Sequence, residues 1–281
     1  HAPKEEVMKY RGQYKQGWDE LRKQRYSRQI KMGLIQKDWA LSPAPENVRQ
    51  WESLSEKEKG WEDFRMAAYA GMVDRMDQGI GKLVKELKEK NIFDNTILMF
   101  CSDNGACPFE RTQGAEKMPW DPESYWTYDT GWAHAGNTPF RWYKQNQHEG
   151  GISSPLIVHW PKGIELEKGS ISDRVGHLVD FMPTCLELAD AKYTGEGKAK
   201  LMGKSFVSTL KRQPDESHDF LYFHFGNNRA IRKGKWKVVS ARGGPWELYD
   251  MDKDRTELND LSKTQPALTK ELATLWYQFA K

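Results

Sequence analysis

Cysteine is scarce in this sequence. The 281 residues hold three, Cys101, Cys107 and Cys185. They form neither a zinc spacing nor a Cys-x-x-Cys pair, and an odd count excludes a disulfide framework. Cys101 and Cys185 fall in apolar runs and read as small buried residues. Long hydrophobic runs are also missing, and nothing approaches the roughly 18 apolar residues of a membrane span. An excess of one charge is missing too. Lys and Arg total 43 against 40 Asp and Glu, a net charge of +3, which gives no electrostatic case for binding nucleic acid. No internal repeat or low-complexity tract is present. The chain opens on His1-Ala2-Pro3 with neither an initiator Met nor a signal peptide, as a matured secreted chain or a piece of a longer one would.

Tryptophan, by contrast, is abundant, with 12 residues. Some would be core, and exposed ones would line a sugar- or partner-binding surface. The length allows one large domain, or one with a smaller companion. Pro3 followed by Lys4-Glu5-Glu6 starts a helix, with Pro early and acids in the first turn. Tyr10-Arg11-Gly12 interrupts it before a second helix over about 19–31. The Lys/Arg-rich faces before residue 60 read as solvated. Ser42-Pro43, Pro45 and Asn47 mark a loop. Ser53 to Glu58 offers Ser caps followed by acids. Tyr69, Met72, Val73, Met76, Ile80, Leu83, Val84 and Leu87 then recur at three and four residues, which predicts a long amphipathic helix.

A short apolar run, Thr96 to Phe100, follows that helix and predicts a buried strand, giving a helix-then-strand unit of α/β type. Residues 105–151 have no sustained period, and so long a loop in a compact domain is usually functional. Pro155 to Trp160 predicts a second buried strand, with His159 as a core residue. Residues 175–190 read as strand and then helix. After about residue 206, short β-type runs between Gly and charged turns predict a small antiparallel sheet. A last helix covers about 266–279.

Two stretches carry candidate chemistry. Asp103-Asn104-Gly105 lies just past the first strand, the edge at which ligands bind in open α/β sheets. Its carboxylate and carboxamide suit a hard cation such as Ca²⁺ or Mg²⁺. On these residues alone a turn is the simpler reading. The second stretch is Asn137-Thr138-Pro139-Phe140-Arg141-Trp142-Tyr143-Lys144, followed by His148-Glu149-Gly150-Gly151. Its Gly pair permits close backbone approach and leads into the second strand. A cation and the Lys144 ammonium meeting at one sheet edge would bind a tetrahedral oxyanion. Glu149 would bond backbone amides of its own loop, and His134 is a further loop His that could touch substrate.

Together with Gly234-Lys235-Trp236-Lys237 and Glu247-Leu248-Tyr249-Asp250, these runs resemble the type I sulfatases of the alkaline-phosphatase superfamily. Ala2-Pro3, Tyr10-Arg11-Gly12 and Gly17-Trp18-Asp19 resemble the segment after that family's catalytic His-x-Pro motif, so the likeness covers nearly the whole chain in order. The resemblance implies a partial alkaline-phosphatase-like mixed sheet flanked by helices over residues 1–205. Residues 206–281 would form a C-terminal antiparallel-sheet and helix subdomain. It implies Asp103 and Asn104 as ligands of Ca²⁺, with Mg²⁺ less favoured. Lys144 would be the catalytic group that holds the sulfate, and His148, His224 and Asn227 would contact substrate. The substrate would be a sulfated small molecule or glycan, and the location periplasmic or secreted.

The family's nucleophile is a formylglycine made from the Cys or Ser of a Cys/Ser-x-Pro-x-Arg motif. No such motif occurs here, and the early Asp pair of the metal shell is also missing. The chain therefore resembles the C-terminal half to two-thirds of a sulfatase, expected to be inactive alone. Two other readings are a phosphoesterase or phosphonate hydrolase of the same superfamily, and a non-catalytic fragment that binds sulfated glycans.

Overall fold

The computed structural model describes residues 1–114, 116–195, 200–214 and 217–280. Two short helices, α1 (Lys4–Tyr10) and α2 (Gly17–Lys31), precede the long α3 (Glu56–Glu89). Ser55 caps α3: its hydroxyl accepts from the Glu58 N–H while the Glu58 carboxylate accepts from the Ser55 N–H, which satisfies two otherwise orphaned donors. Val7 of α1 packs on Ala67 and Ala68 of α3. Trp18, Trp51 and Trp132 meet edge to face, with centroids 4.8 to 5.8 Å apart. Such pairs add about 0.5–1.5 kcal/mol each beyond the area they bury.

Strands β1 (Leu98–Cys101) and β2 (Leu156–His159) form an antiparallel pair, with Phe100 opposite Ile157. The segment between them carries two short helices, α4 (Asp129–Gly136) and α5 (Glu149–Ile152), which aperiodic sequence did not reveal. Helices α6 (Phe181–Leu188) and α7 (Val207–Leu210) lead to the C-terminal part. There β3 (Leu221–Phe225), β4 (Asn228–Lys233), β5 (Trp236–Ser240) and β6 (Glu247–Asp250) form an antiparallel meander. Helix α8 (Pro266–Phe279) covers one face of it, placing Leu272 and Trp276 on Ile231, Val238 and Leu248. The mixed α/β class and the C-terminal sheet with its helix agree with the sequence reading.

Four expectations change. The stripe on α3 is apolar as predicted but open: Tyr69, Met72, Val73, Met76, Ile80 and Leu83 are exposed. The strands expected to be buried are open as well, with Phe100 at 45 % and Ile157 at 62 %, and His159 is exposed rather than core. Periodicity identifies an apolar face but not whether anything covers it. Residues 175–177 form no strand; a 3₁₀ turn over Leu178–Asp180 leads straight into α6. Tryptophan also differs from expectation, for all 12 are buried or half-buried, so none forms an exposed platform.

Candidate functional site

The strand-end turn and the Lys144 segment lie far apart in sequence, and the backbone joins them. Beyond β1, the Ser102 hydroxyl donates to the Asn104 carbonyl at 2.7 Å, and Asn104 Nδ2 donates to the Gly105 carbonyl at 3.0 Å. This closes a turn and leaves Asn104 Oδ1 available. Gly105 N–H then donates to the Gly151 carbonyl at 2.9 Å, and Lys144 N–H to the Ala106 carbonyl at 3.0 Å. Asn137 completes the joint: its Oδ1 accepts from the Ala106 N–H, and its Nδ2 donates to the Trp142 carbonyl, both at 3.0 Å. Gly105 and Gly150 are what allow the approach. A Cβ on Gly105 would sit 1.8 Å from the Gly150 carbonyl oxygen, and one on Gly150 would sit 2.2 Å from those of Arg141 and Trp142.

Arg22 organises the approach to that segment from below. Sequence reading placed it on a solvated face, yet it is 4 % exposed. Its guanidinium donates to the carbonyls of His134 (2.6 Å), Pro139 (3.0 Å) and Phe140 (3.2 Å) and to Ser42 Oγ (2.7 Å). Burial pulls its pKa down to about 9. His134 is buried too and cannot reach a substrate; burial, then the Arg22 charge, pulls it down to about 3.

The His148-Glu149-Gly150-Gly151 stretch is held from the C-terminal sheet. Lys237 Nζ, fully buried, lies 2.7 Å from both Glu149 Oε1 and Glu257 Oε1. The Arg255 guanidinium also pairs with Glu149, and Glu149 N–H donates to Glu257 Oε2 at 2.7 Å. Arg141 donates to the Tyr249 hydroxyl (2.9 Å) and to the Glu257 carbonyl (2.6 Å). His148 Nε2 lies 2.9 Å from Glu247 Oε2, which also accepts from the Tyr249 hydroxyl at 2.6 Å. Three carboxylates thus face three cations, and around buried Lys237, Glu149 and Glu257 such pairing is obligatory. Burial raises the Glu247 carboxyl, but the bonds from His148 and Tyr249 and the Arg141 charge outweigh it, leaving it at about 2. Burial, then Glu247, pushes the Tyr249 phenol up, and burial pulls the Lys237 ammonium down.

This network corrects two expectations. Glu149 bonds side chains of the C-terminal part rather than amides of its own loop. His148, expected against substrate, has no exposed surface and meets Glu247 instead. The sequence runs containing Lys237 and Glu247-Leu248-Tyr249-Asp250 thereby gain a physical role, as anchors of the Lys144 loop. Residues 206–281 touch the Lys144 loop through Lys237, Arg255 and Glu257 rather than through His224 or Asn227. His224 is exposed, with Nε2 2.8 Å from the Gly226 carbonyl and its ring against Trp276. Asn227 is exposed in the β3–β4 turn and contributes a carbonyl to the Gly243 N–H at 2.7 Å. It is the neighbouring Asn228, with Arg242, that lines a groove beside Lys144.

Asp103 is exposed, Asn104 and Lys144 half-buried. Among the described residues no group of three or more His, Cys, Asp or Glu could hold a metal ion. Asp103 and Asn104 therefore offer two oxygen donors of the kind a hard cation takes, and only part of the six to eight that Ca²⁺ needs.

The profile of the Sulfatase family matches residues 1–191, and that of the C-terminal region of N-sulphoglucosamine sulphohydrolase matches residues 139–280. An uncharacterized sulfatase of Schizosaccharomyces pombe is 33 % identical over 303 residues, covering 98 % of this chain and 54 % of its own. An arylsulfatase of Klebsiella aerogenes is 32 % identical over 201 residues, covering 67 % and 43 %. The crystal structure of Ps i-CgsB in complex with k-i-k-neocarrahexaose superposes with a TM-score of 0.59 at 27 % identity, covering 81 % of this chain and 44 % of that one. The chain thus spans about half the length of the curated relatives it matches.

Proposed function

The chain belongs to the sulfatase family, with its alkaline-phosphatase-like fold, and from that premise we propose that it supplies the sulfate-holding half of a sulfate-ester hydrolase site. The observation that supports this reading is the backbone joint between Gly105-Ala106 and Lys144-Gly151, which brings the segment carrying Asp103 and Asn104 up against the one carrying Lys144. Lys144 would bind a sulfate oxygen and neutralise charge on the leaving ester oxygen. Asp103 and Asn104 would hold Ca²⁺, with Mg²⁺ as the weaker candidate. When bound, the cation supplies charge stabilisation for the transferred group. His148 acts as a positioning residue, through Glu247, rather than on substrate.

The nucleophile, expected as formylglycine, and the remaining metal ligands would lie in polypeptide outside this sequence. The open stripe of α3 and the open face of β1 and β2 support that reading, because apolar patches of this kind mark surfaces that another element covers. A sulfated sugar is favoured over an aryl ester by the amide-lined groove beside Lys144 and by the neighbour solved in complex with k-i-k-neocarrahexaose. A periplasmic or secreted location goes with such a substrate; no helix among the described residues is long and apolar enough to cross a membrane.

The test is hydrolysis of 4-nitrophenyl sulfate and 4-nitrophenyl phosphate by the whole enzyme containing these residues. We expect the sulfate to turn over faster, with Ca²⁺ required, and Lys144→Ala to lower kcat/KM by about 10²-fold or more, the usual loss on removing one transition-state charge stabiliser. Faster phosphate turnover with Zn²⁺ or Mn²⁺ would instead establish a phosphoesterase of the same superfamily.

A further inference from the structure

The groove beside Lys144 has features that binding a single sulfate does not use. It encloses about 160 Å³, well under the roughly 300–1,000 Å³ of a site for a whole drug-sized ligand. That is room for one charged substituent on a sugar ring rather than for an oligosaccharide. Lys144 and Arg242 share its lining with Asn and Gln amides, Thr130 and the less polar Pro108, Phe109 and Tyr143, and no carboxylate lines it. Half-buried Lys144 and exposed Arg242 have no ion-pair partner among the described residues. With Lys144 taken by the ester sulfate, Arg242 is the cation left beside this small concavity, and the lack of a facing carboxylate favours an anion there.

Arg242 is held in place by backbone bonds. Its N–H donates to Asn228 Oδ1 at 2.8 Å, and the next N–H, of Gly243, donates to the Asn227 carbonyl at 2.7 Å. These bonds fasten the β5–β6 loop to the β3–β4 turn. The guanidinium carbon lies 5.9 Å from the Trp142 ring centroid, on the segment that carries Lys144. Strain gathers at the same place. Arg242 (φ 53°), Gln145 (φ 74°) and Trp142 (φ 61°) all have left-handed backbones without being glycine. Such conformations cost free energy and persist where surrounding structure holds them, often at ligand sites.

Resting on the sulfate-ester reading above, we propose that this groove receives a second oxyanion of the substrate and that Arg242 is the specificity-determining residue that binds it. The preferred substrate class is then a sulfated sugar bearing a further sulfate or carboxylate on the same ring or the adjoining one, not a monosulfated sugar or an aryl sulfate. A guanidinium recognises either oxyanion through paired N–H donors, while Lys144 takes the ester sulfate that is to be cleaved.

Calorimetric titration of the 281-residue chain with three probes tests this: N-acetylglucosamine 6-sulfate, glucosamine 2,6-disulfate, and a 6-sulfated disaccharide carrying a uronate. We expect at least one two-anion probe to bind about tenfold tighter than the one-anion probe, the size of one charge-assisted contact. Whether the disulfate or the uronate shows the gain identifies the second oxyanion. Arg242→Gln should collapse the ratio to about one, and Arg242→Lys should restore part of it. Equal binding of all three probes by the unaltered chain, or a ratio that Arg242→Gln does not change, overturns the proposal. Lys144→Ala should weaken every probe together. Binding indifferent to Lys144→Ala, or no binding of any probe, overturns the sulfate-site reading itself.

Discussion

Lys237 shows how one residue can matter to a site without touching it. Its ammonium is fully buried between Glu149 and Glu257, so removing it leaves two carboxylates facing no near cation except Arg255. Lys237→Met should destabilise the chain by about 3–5 kcal/mol, the cost of breaking a buried ion pair from one side, read as a shift in the urea midpoint. A loss below about 1 kcal/mol would mean that the carboxylates are rescued by water or by protonation. Acid should act in the same direction. His134 is held at about 3 against 6.5 unfolded, and Glu247 at about 2 against 4.5. Both folded values are depressed, so the stability each contributes is complete above its unfolded value. It is lost as pH falls, from about 6.5 for His134 and about 4.5 for Glu247. Thermal melts should show Tm falling between pH 6.5 and 5, and His134→Gln should flatten that fall. At this scale Asp103, Asn104 and Lys144 were legible as chemistry-bearing types in short motifs. Arg22, Asn228 and Arg242 were not, because their roles depend on partners 112, 14 and about 100 positions away, and no local pattern encodes those.

At the scale of elements, two short stretches are fitted to each other by glycine. Gly105 and Gly150 lie where the strand-end turn meets the helix α5, too close for any side chain. Gly105→Ala or Gly150→Ala must push backbone away from backbone, since carbonyl oxygens rather than flexible side chains occupy the space. Either should cost about 1–3 kcal/mol, the range for overpacking a close contact, and weaken sulfate binding in parallel, as measured by titration. Stability lost with sulfate affinity kept would separate the joint from the site. Helix α3, the C-terminal strands and α8 were legible because period and caps are local properties. Helices α4 and α5 were not: eight and four residues long, they stand on tertiary bonds from Arg22 and from the Lys237 cluster rather than on any repeat.

For the whole molecule, the open apolar faces are the dominant feature. Met76 and Ile80 on α3, and Phe100 and Ile157 on the β1–β2 pair, are all exposed, in a chain that spans 54 % of its fungal relative. Apolar surface of this kind drives association, and the 281-residue chain should self-associate and bind a hydrophobic dye. Combining Met76→Glu with Ile157→Lys should reduce both, as followed by sedimentation and fluorescence; no change would mean that these faces are covered in solution by some other arrangement. The sequence pattern showed which faces are apolar and could not show what covers them, because the cover is a non-local partner. On the proposed reading, these residues bind and neutralise a sulfate ester but carry no nucleophile to attack it. The decisive measurement is turnover of 4-nitrophenyl sulfate by the purified 281-residue chain with Ca²⁺ present. We expect no hydrolysis above the buffer rate; turnover that depends on Lys144 would show that the chain supplies a nucleophile of its own.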